Sequence, residues 1–400
     1  MPELASKHHC TGCTACVNSC PYQCIQMKTD EAGFMFPKIV DISQCISCGV
    51  CESICPVRKE KEPGKCVTIA YAAYTKNEYT RLQSSSGGIF SELAISVLKA
   101  GGTVYGASYD ENGVVRHIQI DNRDDIGKLR GAKYSQSILG YSFQTIKKIL
   151  DTEKTVLFSG TPCQVAGLKS FLRRDYANLI CMDFVCHGVP SPIVWDKYIQ
   201  YRAENDNNGI RPKTINLRSK ESGWSRYSYS VEFVYSDGKR YLCKNDSDSF
   251  MRLFVGDYIL RECCDDCLFK GYDRTSDITL ADFWGIWDID PKMDDNKGTS
   301  LILTHTSKGE KLFKTIAENI KCKQVTLEQA SYKNQSMLKS SVHKDSRSVV
   351  LKTIAENDFG VAIPLIQEDT VQKGAKHKRI ERLLGKFFEI GNSISAHIMK

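Results

Sequence analysis

Cys10, Cys13, Cys16 and Cys20 follow the spacing C-x2-C-x2-C-x3-C and are closed by Pro21, and the same run returns 35 residues later as Cys45, Cys48, Cys51, Cys55 and Pro56. Thiolates this close can grip an iron-sulfur cube. A tight loop lets three sulfurs cap three corners, and the fourth, after a turn, reaches across to the neighbouring site. This is the spacing of bacterial two-cluster ferredoxins, in which the last cysteine of each run serves the other cluster. By that rule Cys10, Cys13, Cys16 and Cys55 hold one 4Fe-4S cluster, and Cys45, Cys48, Cys51 and Cys20 hold the other. Structural zinc, the bland alternative, prefers separated cysteine pairs or cysteine-histidine mixtures to triplet runs. His8 and His9 adjoin Cys10 outside the pattern. Cys24 has no repeat mate, since position 59 is lysine, and reads as a plain thiol.

A second set is scattered. Cys163 stands in Ser159-Gly160-Thr161-Pro162-Cys163-Gln164 and Cys186 in Cys186-His187-Gly188-Val189-Pro190-Ser191, each just after an apolar run. Both positions read as carboxyl ends of strands, where ligands of open α/β sheets gather. Cys263, Cys264 and Cys267 add a C-x2-C pair that would complete a four-thiolate site; the competing use is packing, because buried cysteine serves as a small hydrophobe.

The elements that must carry these residues follow from periodicity. Ile25–Lys28 and Phe34–Ile39 flank Asp30–Gly33 as a short hairpin. Beyond a charged linker, Arg58–Lys65, strand-like runs (67–74, 103–109, 155–159, 179–185) alternate with helical patterns (88–100, 141–150, 164–173, 193–204), the signature of a sheet with covering helices. Tyr227, Tyr229, Val231, Phe233 and Tyr235 alternate ahead of Ser236-Asp237-Gly238, an antiparallel hairpin. Residues 278–304 supply further strands. The expected fold is α+β or α/β: a ferredoxin-like two-cluster head, then a mixed α/β body with an antiparallel hairpin region. Its parts are residues 1–62 (two-cluster head), 67–175 (first α/β region), 176–345 (region with the scattered cysteines) and 346–400 (basic helical tail).

Composition bounds the rest. With 400 residues, 42% hydrophobic and 25% charged, the chain is an ordinary globular protein that needs no metal merely to hold a core. Eighteen cysteines without a secretory segment indicate thiolate ligands in a reducing, cytoplasmic setting rather than disulfides. The net charge of +7 does not imply a nucleic-acid partner, because three oxidised clusters at about −2 each bring it to about +1. Residues 371–400 carry seven Lys/Arg against two Asp/Glu on an amphipathic pattern. Such a helix suits an anionic membrane surface or a partner, though covering its own protein is the commoner use.

In its ordered motifs the chain resembles the beta subunits of coenzyme F-420 hydrogenases and dehydrogenases, here with a fused ferredoxin head. The carriers are Ser85-Ser86-Gly87-Gly88-Ile89-Phe90, Ala132-Lys133-Tyr134-Ser135-Gln136-Ser137, Gly160–Gln164, Cys186–Ser191 and Ser276–Gly285 with Asp282-Phe283-Trp284-Gly285. The resemblance implies a flavoprotein, with residues 67–175 as the flavin-binding region of the mixed α/β flavin-binding body for FAD and residues 176–345 as the region of a third 4Fe-4S cluster on Cys163, Cys186, Cys264 and Cys267. Cys263 competes with Cys264, which is preferred because it keeps the x2 spacing. No G-x-G-x-x-G or Walker loop is present, so the best anion cradle is Ser84–Gly88, with Ser85, Ser86, Gly87 and Gly88 ahead of a helix. The expected flavin contacts add Lys133, Tyr134, Gly160 and Thr161. Lys133 would stabilise a reduced anionic flavin, and His187 would relay a proton; a solvated lysine and a backbone-bonded histidine are the plain readings.

The function expected is an iron-sulfur flavoprotein oxidoreductase. It would pass electrons between a ferredoxin or other redox protein, its 4Fe-4S clusters and FAD, and exchange a hydride with an organic two-electron substrate. The alternative is a non-catalytic relay subunit of a larger redox complex.

Overall fold

In a computed structural model the described residues are 2–59, 68–225 and 228–365. The internal repeat of the head is visible in its backbone. Gly12 and Thr14 take positive φ of 71° and 64°, and their mates 35 residues on, Ser47 and Gly49, take 55° and 69°. Thr14 and Gly49 each open a single helical turn, Ala15–Ser19 and Val50–Ser53. Between the two loops lies the expected hairpin, β1 (Ile25–Thr29) antiparallel to β2 (Met35–Ile39).

The body is built on an eight-stranded mixed sheet. Its strands are β3 (Ile69–Thr75), β4 (Thr103–Tyr109), β5 (Val115–Ile120), β6 (Val156–Ser159), β7 (Leu179–Phe184), β11 (Ile278–Asp282), β12 (Ser300–Thr304) and β13 (Ile320–Val325). A separate antiparallel sheet has β8 (Thr214–Ser219), β9 (Ser230–Val234) and β10 (Arg240–Lys244) in the order β10-β9-β8. The large sheet runs β13-β3-β12-β11-β7-β6-β4-β5. β4, β6, β7 and β11 are mutually parallel, and β3 shares their direction because β12 is antiparallel to both β3 and β11. The carboxyl ends of five strands therefore lie along one edge.

The helix Ile89–Lys99 turns Ile89, Leu93, Ala94 and Val97 into the core, as its spacing requires. Helices Ser142–Leu150 and Pro162–Leu172 pack with the middle strands, and Pro192–Asn207 packs with the small sheet around Trp195, Tyr198, Phe233 and Phe250. Tyr229, Val231, Phe233 and Tyr235 are all buried, which confirms their inward register. Two strands lie outside the sequence expectation: β5, paired to β4, and β13, paired to β3.

The head is seated on the body. Asn18 donates to the Gly140 carbonyl at 3.0 Å, Ser170 to the Ile54 carbonyl at 2.6 Å and Ser191 to the Ala32 carbonyl at 2.5 Å. Phe34 and Phe36 belong to the same apolar cluster as Trp195 and Phe250. Most of the linker, Cys66, Tyr227 and residues 366–400 of the basic tail lie outside the described residues. Among the described residues no helix is long and apolar enough to cross a membrane.

Candidate iron-sulfur and flavin site

In the head, two cavities are walled by the repeated cysteines. The inner one is lined by Cys10, Cys13, Cys16 and Cys55, together with Cys51. The outer one is lined by Cys20, Cys45, Cys48 and Cys51, together with Cys24. The fourth cysteine of each run thus stands with the other run, as the spacing rule requires. Cys24 is no bystander: its Sγ lies 3.3 Å from that of Cys20. Every cysteine among the described residues is a free thiol. No group of three His, Cys, Asp or Glu among them closes on a point that would hold a single ion. A four-iron cluster asks for something else, one thiolate on each iron around a cavity.

The third cavity lies where β6 and β7 end. Cys163, on the first turn of the helix Pro162–Leu172, and Cys186, just past β7, face it with Cys263, Cys264 and Cys267. Pro162 fixes that first turn, and Thr161 closes a capping box with Gln164 while holding its Oγ1 3.1 Å from Cys163 Sγ. Both Cys263 and Cys264 are buried on the wall. Burial pushes the Cys163 thiol far up and the Cys186 thiol up to about 12, while Lys270 and Arg274 pull Cys186 the other way. Any metal bound here would have to displace those protons.

The cavities form a series. The outer and inner ones share Cys51, and the inner and body ones share Thr11 and Val57. The inner cysteine loop is pressed onto the body helix at Gly167, where a β-carbon would lie 2.8 Å from Cys13 Cβ and 2.9 Å from its Sγ. Only glycine permits that approach.

The residues expected at a flavin are spread along the same sheet edge. Ser84–Gly88 follows β3; Gly160 and Thr161 follow β6; Asp282 ends β11. The glycines of the first loop serve the fold itself: at Gly87 a β-carbon would meet the Ala73 carbonyl at 2.6 Å, and at Gly88 the Thr75 methyl at 2.6 Å. Ser86 Oγ donates to the Thr299 carbonyl, whereas Ser85 Oγ is buried without a hydrogen-bond partner among the described residues. That orphaned hydroxyl, close ahead of the Gly88 cap of a long helix, suits an anionic ligand group. Lys133 Nζ donates to the carbonyls of Leu129, Arg130 and Gly131 at 3.1, 2.5 and 3.2 Å, and burial lowers its pKa to about 7. It is thus neither a solvated lysine nor a free-standing charge. Tyr134 packs on Phe254 and lies 3.4 Å from Arg218 through its hydroxyl. His187 Nε2 lies 2.7 Å from Asp257 Oδ1, with its ring edge against Phe254.

Sequence reasoning missed the cations. Arg218 ion-pairs with Asp282 at 2.7 Å and stacks on Trp224, Tyr229 and Trp284. Lys220 Nζ donates to the carbonyls of Arg81, Ser86 and Lys297, pinning the serine-glycine loop, and burial lowers its pKa to about 7. Arg261 bridges head and body through Cys10 O, Met35 O and Gln136. None sits in a motif. An Arg or Lys reads as surface until long-range pairing is known.

Comparison with known proteins gives two family matches. Residues 153–330 match the family described as the C terminus of the coenzyme F420 hydrogenase/dehydrogenase beta subunit, and residues 9–59 match the 4Fe-4S dicluster domain. The search of curated proteins found no match. Among solved structures, a chain of the F420-reducing [NiFe] hydrogenase complex from Methanosarcina barkeri is 17% identical, with 78% of this chain and 95% of that chain covered at a TM-score of 0.46.

Proposed function

We propose a flavin-dependent iron-sulfur oxidoreductase with three 4Fe-4S centres and one FAD, from the premise that residues 153–330 match the C terminus of the coenzyme F420 hydrogenase/dehydrogenase beta subunit and residues 9–59 match the 4Fe-4S dicluster domain. The two matched segments make the chain an iron-sulfur electron-transfer protein related to those beta subunits. When bound, the clusters supply one-electron transfer and the flavin supplies exchange of one or two electrons.

The observation that carries the reading is the series of thiol-lined cavities with shared walls, running from the outer head to the carboxyl ends of β6 and β7. The twelve cysteines would hold the clusters in the sets already given, with Cys264 kept over Cys263 on spacing. The residues' own work is positional. Thr161 fixes Cys163 through its cap, Lys220 ties the serine-glycine loop at the Ser86 carbonyl to the carbonyls of Arg81 and Lys297, and Arg218 with Asp282 fixes the aromatic wall beside Tyr134. Ser85 and Ser86, with Gly87 and Gly88 shaping the loop, are the proposed contacts for a flavin phosphate or carbonyl, and Lys133, Tyr134, Gly160 and Thr161 complete the proposed pocket. His187, with its Nε2 2.7 Å from Asp257 Oδ1, is the proposed proton-relay residue.

The proposed partners are a ferredoxin-type one-electron protein at the head and an organic two-electron substrate at the body, in a reducing cytoplasmic setting that suits free thiols. The test is anaerobic purification with iron, acid-labile sulfide and flavin counted per chain. About twelve irons and one flavin are expected. About eight irons without flavin leave only the dicluster head, and zinc in place of iron ends the redox reading.

A further inference from the structure

We propose that the chain's own cations order the three centres in reduction potential, rising from the outer head set through the inner head set to the body set, so that electrons run inward. This rests on reading the three thiol sets as 4Fe-4S sites.

The walls differ in charge. The outer cavity is lined by Cys, Pro, Tyr, Ile, Val and Gly alone, with no charged side chain. The inner cavity has an equally uncharged lining, but Arg261 reaches it from behind, its Nε donating to the Cys10 carbonyl at 2.8 Å. The body cavity is lined by Arg261, Lys270 and Arg274 against one carboxylate, Asp266. Lys270 Nζ is held on the Cys186 carbonyl at 2.5 Å and the Ser336 carbonyl at 2.8 Å, directly behind a proposed ligand. Arg274 is the more telling group. Its side chain is 2% exposed, and neither Nη has a hydrogen-bond partner among the described residues. Its ion-pair partner, Asp183 Oδ2, stands 3.6 Å from Nη1, beyond hydrogen-bond length. A guanidinium buried on a cavity wall with open donors calls for an electron-rich occupant.

Reduction adds one electron to a centre that already carries about −2 with its thiolates. Each fixed cation nearby favours the reduced form, and hydrogen bonds toward the sulfurs act in the same sense. Burial opposes them, because a low dielectric penalises the growing charge. Burial alone would rank the outer centre highest, since Cys48 is exposed while Cys163 and Cys186 are enclosed. The cations decide the order the other way, because buried charges are little screened by water or salt. In each transfer one electron leaves a head centre, oxidising it by one, and enters the next centre inward, reducing it by one. No bond or proton changes, and a low-potential one-electron reductant outside the chain supplies the electron.

The test is an EPR-monitored dithionite titration of the anaerobic full-length protein. The body signal is assigned as the one altered in Cys163→Ser, and iron is counted first. The expected result is that the body centre is reduced first and the outer head centre last. Arg274→Gln and Lys270→Gln should each shift the body signal to lower potential and leave the outer head signal in place, with Arg274→Lys restoring most of the shift. Should Arg274→Gln lose its cluster, Lys270→Gln carries the same comparison. About twelve irons with the body centre reduced last, or with its potential unmoved in the charge-removing variants, overturns the ordering alone. A count near eight removes the body centre and overturns the reading beneath it.

Discussion

Two buried lysines give the residue scale its sharpest expectation. Lys133 and Lys220 each donate to three backbone carbonyls, and burial lowers both to about 7, against about 10.4 in an unfolded chain. Between those values the unfolded chain binds more protons than the folded one, so stability rises as pH increases from about 7 toward 10. The slope is at most about 1.4 kcal/mol per pH unit for each group. Urea midpoints measured across that range should flatten in Lys133→Met and Lys220→Met. Single thiols separate ligand from neighbour: Cys264→Ser should lose about four irons while Cys263→Ser retains them, by iron and sulfide count. The head cysteines were legible because chemistry had written them as a repeat. Cys24 was not, since only folding brings its sulfur to Cys20 and the outer cavity.

Among the elements, the helix Pro162–Leu172 carries Cys163 at its first turn and Gly167 beneath Cys13. Gly167→Ala places a methyl 2.8 Å from Cys13 Cβ, and overpacking of this kind costs about 1–3 kcal/mol. A lower denaturation midpoint and slower re-equilibration between head and body signals after a reductant pulse are the expected readings. Arg218→Met strands Asp282 in a largely enclosed setting, and breaking such a pair costs about 3–5 kcal/mol. Thermal unfolding checks it, with Arg218→Met/Asp282→Leu recovering part of the loss.

Most of the strands and helices were readable from period alone, because β6 and β7 are buried apolar runs and the long helices show one apolar face. β13 escaped for a physical reason: five of its six positions face outward or partly so, leaving Lys321, Lys323 and Gln324 with no apolar pattern. β5 alternates only at its start, with Val115 and His117 buried, and the pattern then breaks at exposed Gln119 and buried Ile120. Strand order and the common edge belong to long-range pairing, which no local signal encodes.

For the molecule as a whole, the head depends on what it holds. Its own apolar cluster consists of Val17, Cys24, Ile25 and Cys51, with partly buried neighbours, whereas the body has a sheet of eight strands and several larger clusters. Metal binding in such a small unit is folding free energy. Stripping iron with a chelator should therefore expose residues 9–59 to limited proteolysis while the body resists. Full resistance of the stripped head would mean that its docking contacts suffice.

Of the twelve proposed cluster sulfurs, Cys48 alone is exposed. Air would corrode the series from that terminal inward, because oxidation of cysteine follows access as well as thiolate character. Damage would disconnect the supply before it reached the inner circuitry, leaving an idle protein in place of one that leaks electrons to oxygen.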